Sequence, residues 1–170
     1  RSRGLGDVYK RQVQISFILN TAQIIMFLIR LNVLRLFYLV VQMINILRDI
    51  PEDLRFGRCY IPVDSLQEYG LIPDDLIAHE NMDKFRPLYD KYLDLTDAHL
   101  DAAVENISML PYSQFRLRAA CMLPVLIGQR TVAMLREQNV LDSENRVKVS
   151  RAEMKDLISK TKRSLILPGG

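Results

Sequence analysis

With 49% of its 170 residues hydrophobic and 25% charged, the chain has the composition of a folded globular domain, not of a disordered or low-complexity segment. The formal net charge of +3 says nothing of partners, because Arg1, Arg3, Lys10 and Arg11 against Asp7 supply all of it and the remainder is balanced. Nucleic-acid binding therefore has no support in the charge. Cys59 and Cys121 lie far apart without CxxC or CxxH spacing and suggest neither a zinc site nor a disulfide framework, so a reducing cytoplasm is the default compartment.

Residues 1–12 lack an apolar period and a hydrophobic signal core, and they read as a non-native leader outside the fold. Residues 13–47 are rich in Ile, Leu, Val, Phe and Met, and Val13–Ile29 is an uncharged run of 17 residues. That is the lower limit for a membrane span; a buried core helix is the plainer reading, a span or membrane-surface helix the second, and a stretch of non-native sequence the third. The helical pattern continues to about Leu54, with Pro51 expected to bend it between Asp49 and Asp53 because its ring displaces the bond to the Leu47 carbonyl. A turn at 55–58 and an extended Cys59–Pro62 follow.

Ser65–Tyr69 predicts a short helix closed by Gly70, and Asp74 or Asp75 next to Pro73 caps another. Residues 82–110 carry Phe85, Leu88, Tyr92, Leu95, Ala98, Ala102 and Ile107 at helical period and predict one long amphipathic helix. Residues 114–138 predict a second, kinked at Pro124, and Ser150 followed by Glu153 has the capping-box spacing that starts a last helix to about Leu165. The tail 168–170 should fray. No segment alternates with period two, so the predicted class is all-α: a helical bundle in one domain over residues 13–167.

The informative stretch is residues 42–53. On a helix Asn45, Asp49 and Asp53 share one line at i, i+4 and i+8, flanked by Gln42 and Glu52. The helix is otherwise apolar all round from Leu36 to Leu47, which predicts buried sides. A polar stripe on a buried helix needs a polar cavity, an ion or polar partners, since an unpaired carboxylate in a dry core costs several kcal/mol. Mg²⁺ prefers carboxylate oxygen and bridges one or two carboxylates to phosphates, while Arg48 and Arg58 would offer forked donors to the remaining phosphate oxygens. On spacing alone, the same residues would serve as a solvated helix end that pairs with Arg48 and Arg58.

The whole string QMINILRDIPEDLRFGRCYIP, residues 42–62, resembles the second aspartate-rich signature of squalene and phytoene synthases, where an asparagine, an arginine and D-x-x-E-D lead to G-R-x-Y/F-x-P. The likeness continues more loosely through Arg116–Ala120, Leu123-Pro124, Ile127-Gly128 and Val147–Arg151, in a pattern closer to bacterial squalene synthases. It implies the C-terminal part of an isoprenoid synthase fold. It implies further that two prenyl diphosphates, farnesyl or geranylgeranyl, are condensed head to head with Mg²⁺.

Under that resemblance Asn45, Asp49 and Asp53 would hold the metal. Gln42, Asn45, Arg48, Arg58 and Tyr60 would bind substrate, Glu52 would orient the shell, and Asp49, Asp53 and Arg58 would be catalytic. A squalene-forming member would also use NADPH, and a lipid product implies peripheral membrane contact. No D-x-x-x-D precedes Asp49, so the chain by itself is expected to be inactive. The competing readings are a terpene cyclase of the same fold and a non-catalytic membrane-associated helical protein. His79 and His99 lack partners at ligand spacing and read as surface or packed histidines.

Overall fold

The computed structural model of the chain describes residues 38–144 and 146–166, together with positions 23, 27, 28, 31 and 35. The expected leader, the tail and most of the apolar run 13–37 lie outside the described residues. Six helices are described: α1 (38–48), α2 (Ile50–Arg55), α3 (Val63–Gln67), α4 (Met82–Ser108), α5 (Phe115–Glu137) and α6 (Arg151–Ile166). Short 3-10 turns occupy Pro73–Ile77, His79–Asn81 and Tyr112–Gln114. Among the described residues there is no strand, and the chain is all-α.

The apolar run is not buried where it is described: Phe27, Leu28, Leu31, Tyr38 and Leu39 are exposed, and burial begins at Val40. No helix of the described residues is long and apolar enough to cross a membrane. Nor is α1 buried all round. Val40, Ile44 and Leu47, at i, i+4 and i+7, face the core, whereas Gln42 is exposed and Asn45 half-buried.

α4 and α5 are the antiparallel backbone of the bundle. Arg86 near the start of α4 donates to the carbonyls of Leu135, Arg136 and Gln138 at the end of α5, at 3.2, 3.4 and 2.7 Å. A cation there satisfies orphan carbonyls and meets the negative end of the helix dipole. At the other end Arg118 donates to the Ser108 carbonyl at 3.1 Å and to that of Leu110.

The buried face of α4 differs from the predicted one beyond Leu88. It runs through Phe85, Tyr89, Leu93, Thr96, Leu100, Ala103 and Ile107, while Leu95 and Ala98 are exposed and Ala102 is only partly covered. The polar Thr96 disguised this stripe. Its hydroxyl is satisfied inside the helix by the Tyr92 carbonyl at 2.8 Å, so burial leaves no orphan group.

Three helices meet at Gly128. A Cβ built there would lie 2.9 Å from Ile44 Cδ1 on α1 and 3.0 Å from Leu100 Cδ2 on α4. Gly128→Val is therefore expected to destabilise the chain by about 1–3 kcal/mol through overpacking, read as a lower midpoint in thermal unfolding followed by circular dichroism. An unchanged midpoint would mean that the three helices do not close on this point.

Glycine also ends two of the short helices. Gly57 (φ 70°) and Gly70 (φ 65°) are left-handed. Arg58 N donates to Asp53 O and Gly57 N to Leu54 O, each at 2.9 Å, and the same pair of bonds recurs at Leu71 N to Leu66 O and Gly70 N to Gln67 O. Both are Schellman closures, so the predicted stop at Gly70 is where the sequence puts it. Asp75 does not cap from in front; it reaches back from inside its 3-10 turn to the Ile72 N–H at 2.9 Å.

The Ser150–Glu153 capping box is formed, with Glu153 N donating to Ser150 Oγ at 3.2 Å and Ser150 N to Glu153 Oε2 at 3.0 Å. Arg130 on α5 adds Nη2 to Glu153 Oε1 at 2.7 Å. The Ser150 bonds first, and then Arg130, pull the Glu153 carboxyl down to about 2. A carboxyl lowered on folding adds stability that is present above its ordinary pKa and lost as pH falls through the lowered value. The Tm gap between wild type and Glu153→Gln is therefore expected to be largest above about pH 4.5 and to close towards about pH 2. A gap that stays constant across that window would contradict the capping role.

Candidate functional site

The site grows out of a helix break. Pro51 has no N–H to give the Leu47 carbonyl. The chain leaves helical geometry at Asp49 (φ −100°, ψ 16°) and restarts at Ile50, although Asp49 N still reaches Asn45 O and Asp53 N reaches Asp49 O, both at 2.9 Å. The bend expected between the two aspartates thus falls on the first of them. Tyr89, fully buried on α4, donates its hydroxyl to the Leu47 carbonyl at 3.0 Å. Burial, offset in part by Arg86, pushes the Tyr89 phenol well above its ordinary range, so it keeps the proton it donates.

At the break Asp49 sits between two arginines. Arg48 Nε donates to Oδ1 and Nη2 to Oδ2, both at 2.8 Å, a forked pairing, and Arg146 Nη2 adds a bond to Oδ1 at 2.9 Å. Arg48 Nη2 also reaches Asn45 Oδ1 at 3.1 Å, and Arg146 Nη1 lies 3.2 Å from Glu52 Oε2. The Asp49 side chain is only 19% exposed. Burial alone would raise its pKa, but the bonds from Arg48 and Arg146 outweigh that and hold the carboxyl below the usual range. The Asp49 hydrogen bond in turn raises Arg48.

Arg48, Asp49 and Glu52 form one wall of a hollow of about 300 Å³ whose other side is the segment after α5, with Val140, Asp142, Ser143 and Arg146; Asn45 lies behind Arg48 and does not line it. Arg55 closes an edge through Nη2 to Ser143 Oγ at 2.9 Å. The capping of α5 by Arg86 fixes where this segment departs.

Of the expected line Asn45, Asp49 and Asp53, flanked by Gln42 and Glu52, the structure links Asn45 and Asp49 through Arg48, and Asp49 and Glu52 through Arg146. Asp53, Arg58 and Tyr60 are not part of that wall. They line a second, far smaller hollow of about 10 Å³ beside Cys59, because the break at Asp49 interrupts the i, i+4, i+8 line. Arg58 and Tyr60 are exposed, as is Gln42. His79 lies at the surface within 3.6 Å of Glu80, and His99 is half-buried. Arg146, Arg55 and Ser143 escaped the sequence reading: Arg146 is 97 residues from Asp49, and nothing local marks it.

Among the described residues no group of three or more His, Cys, Asp or Glu is arranged to hold a metal. Asp49 and Glu52 nonetheless offer hard carboxylate oxygens on the wall of one hollow, the donor type and number that Mg²⁺ takes when phosphates and waters complete its shell. The fit is that of a shared site. Arg146, which now spans the two carboxylates, is the cation that such an ion would meet first.

The Squalene/phytoene synthase family model matches residues 37–153. Phytoene synthase 2, chloroplastic, of Solanum lycopersicum is 31% identical over 127 residues, covering 75% of this chain and 37% of that protein. The bifunctional lycopene cyclase/phytoene synthase of Arthroderma gypseum is 37% identical over 111 residues, 65% of this chain and 18% of that protein. The phytoene synthase of Pseudescherichia vulneris is 32% identical over 73 residues, 43% of this chain and 24% of that protein. The chain belongs to the squalene/phytoene synthase family, and its all-α bundle agrees with the isoprenoid synthase fold expected of it. It spans no more than 37% of the length of these relatives.

Proposed function

We propose that this chain supplies the diphosphate-binding part of a prenyltransferase that condenses two prenyl diphosphates head to head, using Mg²⁺. The observation that carries the reading is Asp49 seated between Arg48 and Arg146 on the wall of the 300 Å³ hollow. That volume is at the small end of ligand pockets and suits a headgroup rather than two prenyl tails. The names of the relatives support a phytoene-type product from geranylgeranyl diphosphate; the looser likeness of the later helices to bacterial squalene synthases supports farnesyl diphosphate and NADPH as the second reading. The family match supports either over a terpene cyclase.

Arg48 and Arg146 would turn forked donors towards the diphosphate oxygens, with Asn45 holding Arg48 in plane and Glu52 steering Arg146. Ser143 would bound the headgroup from the opposite wall, with Arg55 closing the edge between the two. Bound Mg²⁺, held by Asp49 with Glu52 as the second carboxylate on the hollow, would neutralise the charge on the leaving diphosphate, while Asn45 and Asp53 are assigned to the metal by family likeness alone. Arg58, Tyr60 and Gln42 are assigned to substrate by family likeness. Peripheral contact with a membrane would serve release of the apolar product, a cytoplasmic setting being the default for a chain whose two cysteines suggest no disulfide, and the 170-residue chain, with its single aspartate-rich motif, would bind headgroups without turnover.

Charge explains why an ion is needed. Arg48, Arg55 and Arg146 are matched around the hollow by Asp49, Glu52 and Asp142, so an incoming diphosphate meets no net positive field. Calorimetric titration with inorganic pyrophosphate should accordingly show binding at least about tenfold tighter with Mg²⁺ than with EDTA, since bridging by the ion adds charge-assisted contacts. Equal affinity in the two buffers would overturn the proposal.

A further inference from the structure

We infer that Tyr89 is a positioning residue for this site: its buried hydroxyl takes the place of the backbone donor that Pro51 lacks, and so fixes the helix break from which Arg48 and Asp49 reach the hollow. The inference rests on the diphosphate reading above and concerns a residue that does not itself line the hollow. In an uninterrupted helix the Leu47 carbonyl would accept from the N–H of residue 51. Proline removes that donor, and the carbonyl is left on a residue only 3% exposed, beyond the reach of bulk water. Tyr89 is 0% exposed and its hydroxyl stands 3.0 Å away.

A buried acceptor left without a partner finds another by rotating its peptide or admitting a water between the turns. Here the rotating peptide would be the one joining Leu47 to Arg48. Both members of the forked Arg48–Asp49 pair hang on the residues that follow it, so their aim into the hollow depends on a hydroxyl from another helix. The ring of Tyr89 packs against Phe85 with centroids 5.4 Å apart, which keeps the hydroxyl in place and makes phenylalanine a substitution that removes only the oxygen.

The test is a double-mutant cycle between Tyr89→Phe and Pro51→Ala in the full chain, read both by thermal unfolding and by calorimetric titration with magnesium pyrophosphate. Tyr89→Phe is expected to lower Tm by about 4–8 °C and to weaken binding by about tenfold. In the Pro51→Ala background, where residue 51 regains an N–H for the Leu47 carbonyl, loss of the hydroxyl should cost less than half of that Tm change. Binding should stay weak there, because a restored helix no longer breaks at Asp49. A merely structural role would let binding recover along with stability.

Equal Tm losses in the two backgrounds, or unchanged affinity in Tyr89→Phe, would overturn the inference. Should Tyr89→Phe alone fail to fold, a folded double variant supports the inference and an unfolded one counts against it. A wild-type chain that does not bind magnesium pyrophosphate would instead remove the diphosphate reading, with the Tm cycle still deciding whether the hydroxyl serves the carbonyl that Pro51 orphans.

Discussion

Asp49→Asn is expected to weaken magnesium pyrophosphate binding by about a hundredfold, the upper end of the 10–100-fold typical of supporting residues, because the change removes the carboxylate on which two guanidiniums converge and on which the proposed ion would sit. The same change strips Arg48 of its forked acceptor and leaves a half-buried guanidinium facing a neutral amide. Stability should fall by about 1–3 kcal/mol as a charged partner is lost. Asp53→Asn is expected to cost less binding, since its carboxylate lies on the second hollow. A parallel set of titrations checks the order. The pH dependence follows from the lowered Asp49 pKa: the Asp49 contribution to stability is present above the ordinary aspartate range and is lost only as pH falls below it. Were Asp49→Asn to bind as well as wild type, the hollow would be a pocket without the proposed chemistry.

Leu93→Ala is expected to cost about 2–5 kcal/mol, whereas Leu95→Ala, two residues along the same helix, should cost under about 0.5 kcal/mol. Leu93 is fully buried within the α4 face, and removing its side chain leaves a cavity that fixed helices cannot fill. Leu95 is 48% exposed. Denaturant melts of the two variants decide between the observed face and the one that helical spacing picks out from Leu88 through Leu95 and Ala98. Equal losses would place the α4 stripe elsewhere.

That contrast shows where the sequence could be read and where it could not. Signals carried by neighbours along the chain were legible: the turn at 55–58, the glycine stop at 70, the Ser150–Glu153 box, the two long helices, and the placing of Arg48 beside Asn45 and Asp49. Each is set by backbone geometry within one or two turns. The buried face of α4 was misread because Thr96 looks polar, yet it can satisfy its own hydroxyl one turn back.

The partners that complete the site were hidden for a different reason. Arg146 joins Asp49 only through the packing of the segment after α5, and Arg55 meets Ser143 across 88 residues. The i, i+4, i+8 line of Asn45, Asp49 and Asp53 held for its first two members and gave way where Pro51 breaks the helix. The proline was visible, but the residue that absorbs the break is chosen by tertiary contacts such as the Tyr89 hydroxyl, which a linear pattern does not contain.

The central claim is that the hollow beside Asp49 receives a metal-bound pyrophosphoryl group. A crystal structure of the chain grown with Mg²⁺ and pyrophosphate tests it most directly. Pyrophosphoryl density is expected within hydrogen-bonding reach of Arg48 and Arg146, with a cation on Asp49 and Arg146 drawn off Glu52. Density bound elsewhere, with Asp49 still locked between the two guanidiniums, would contradict it.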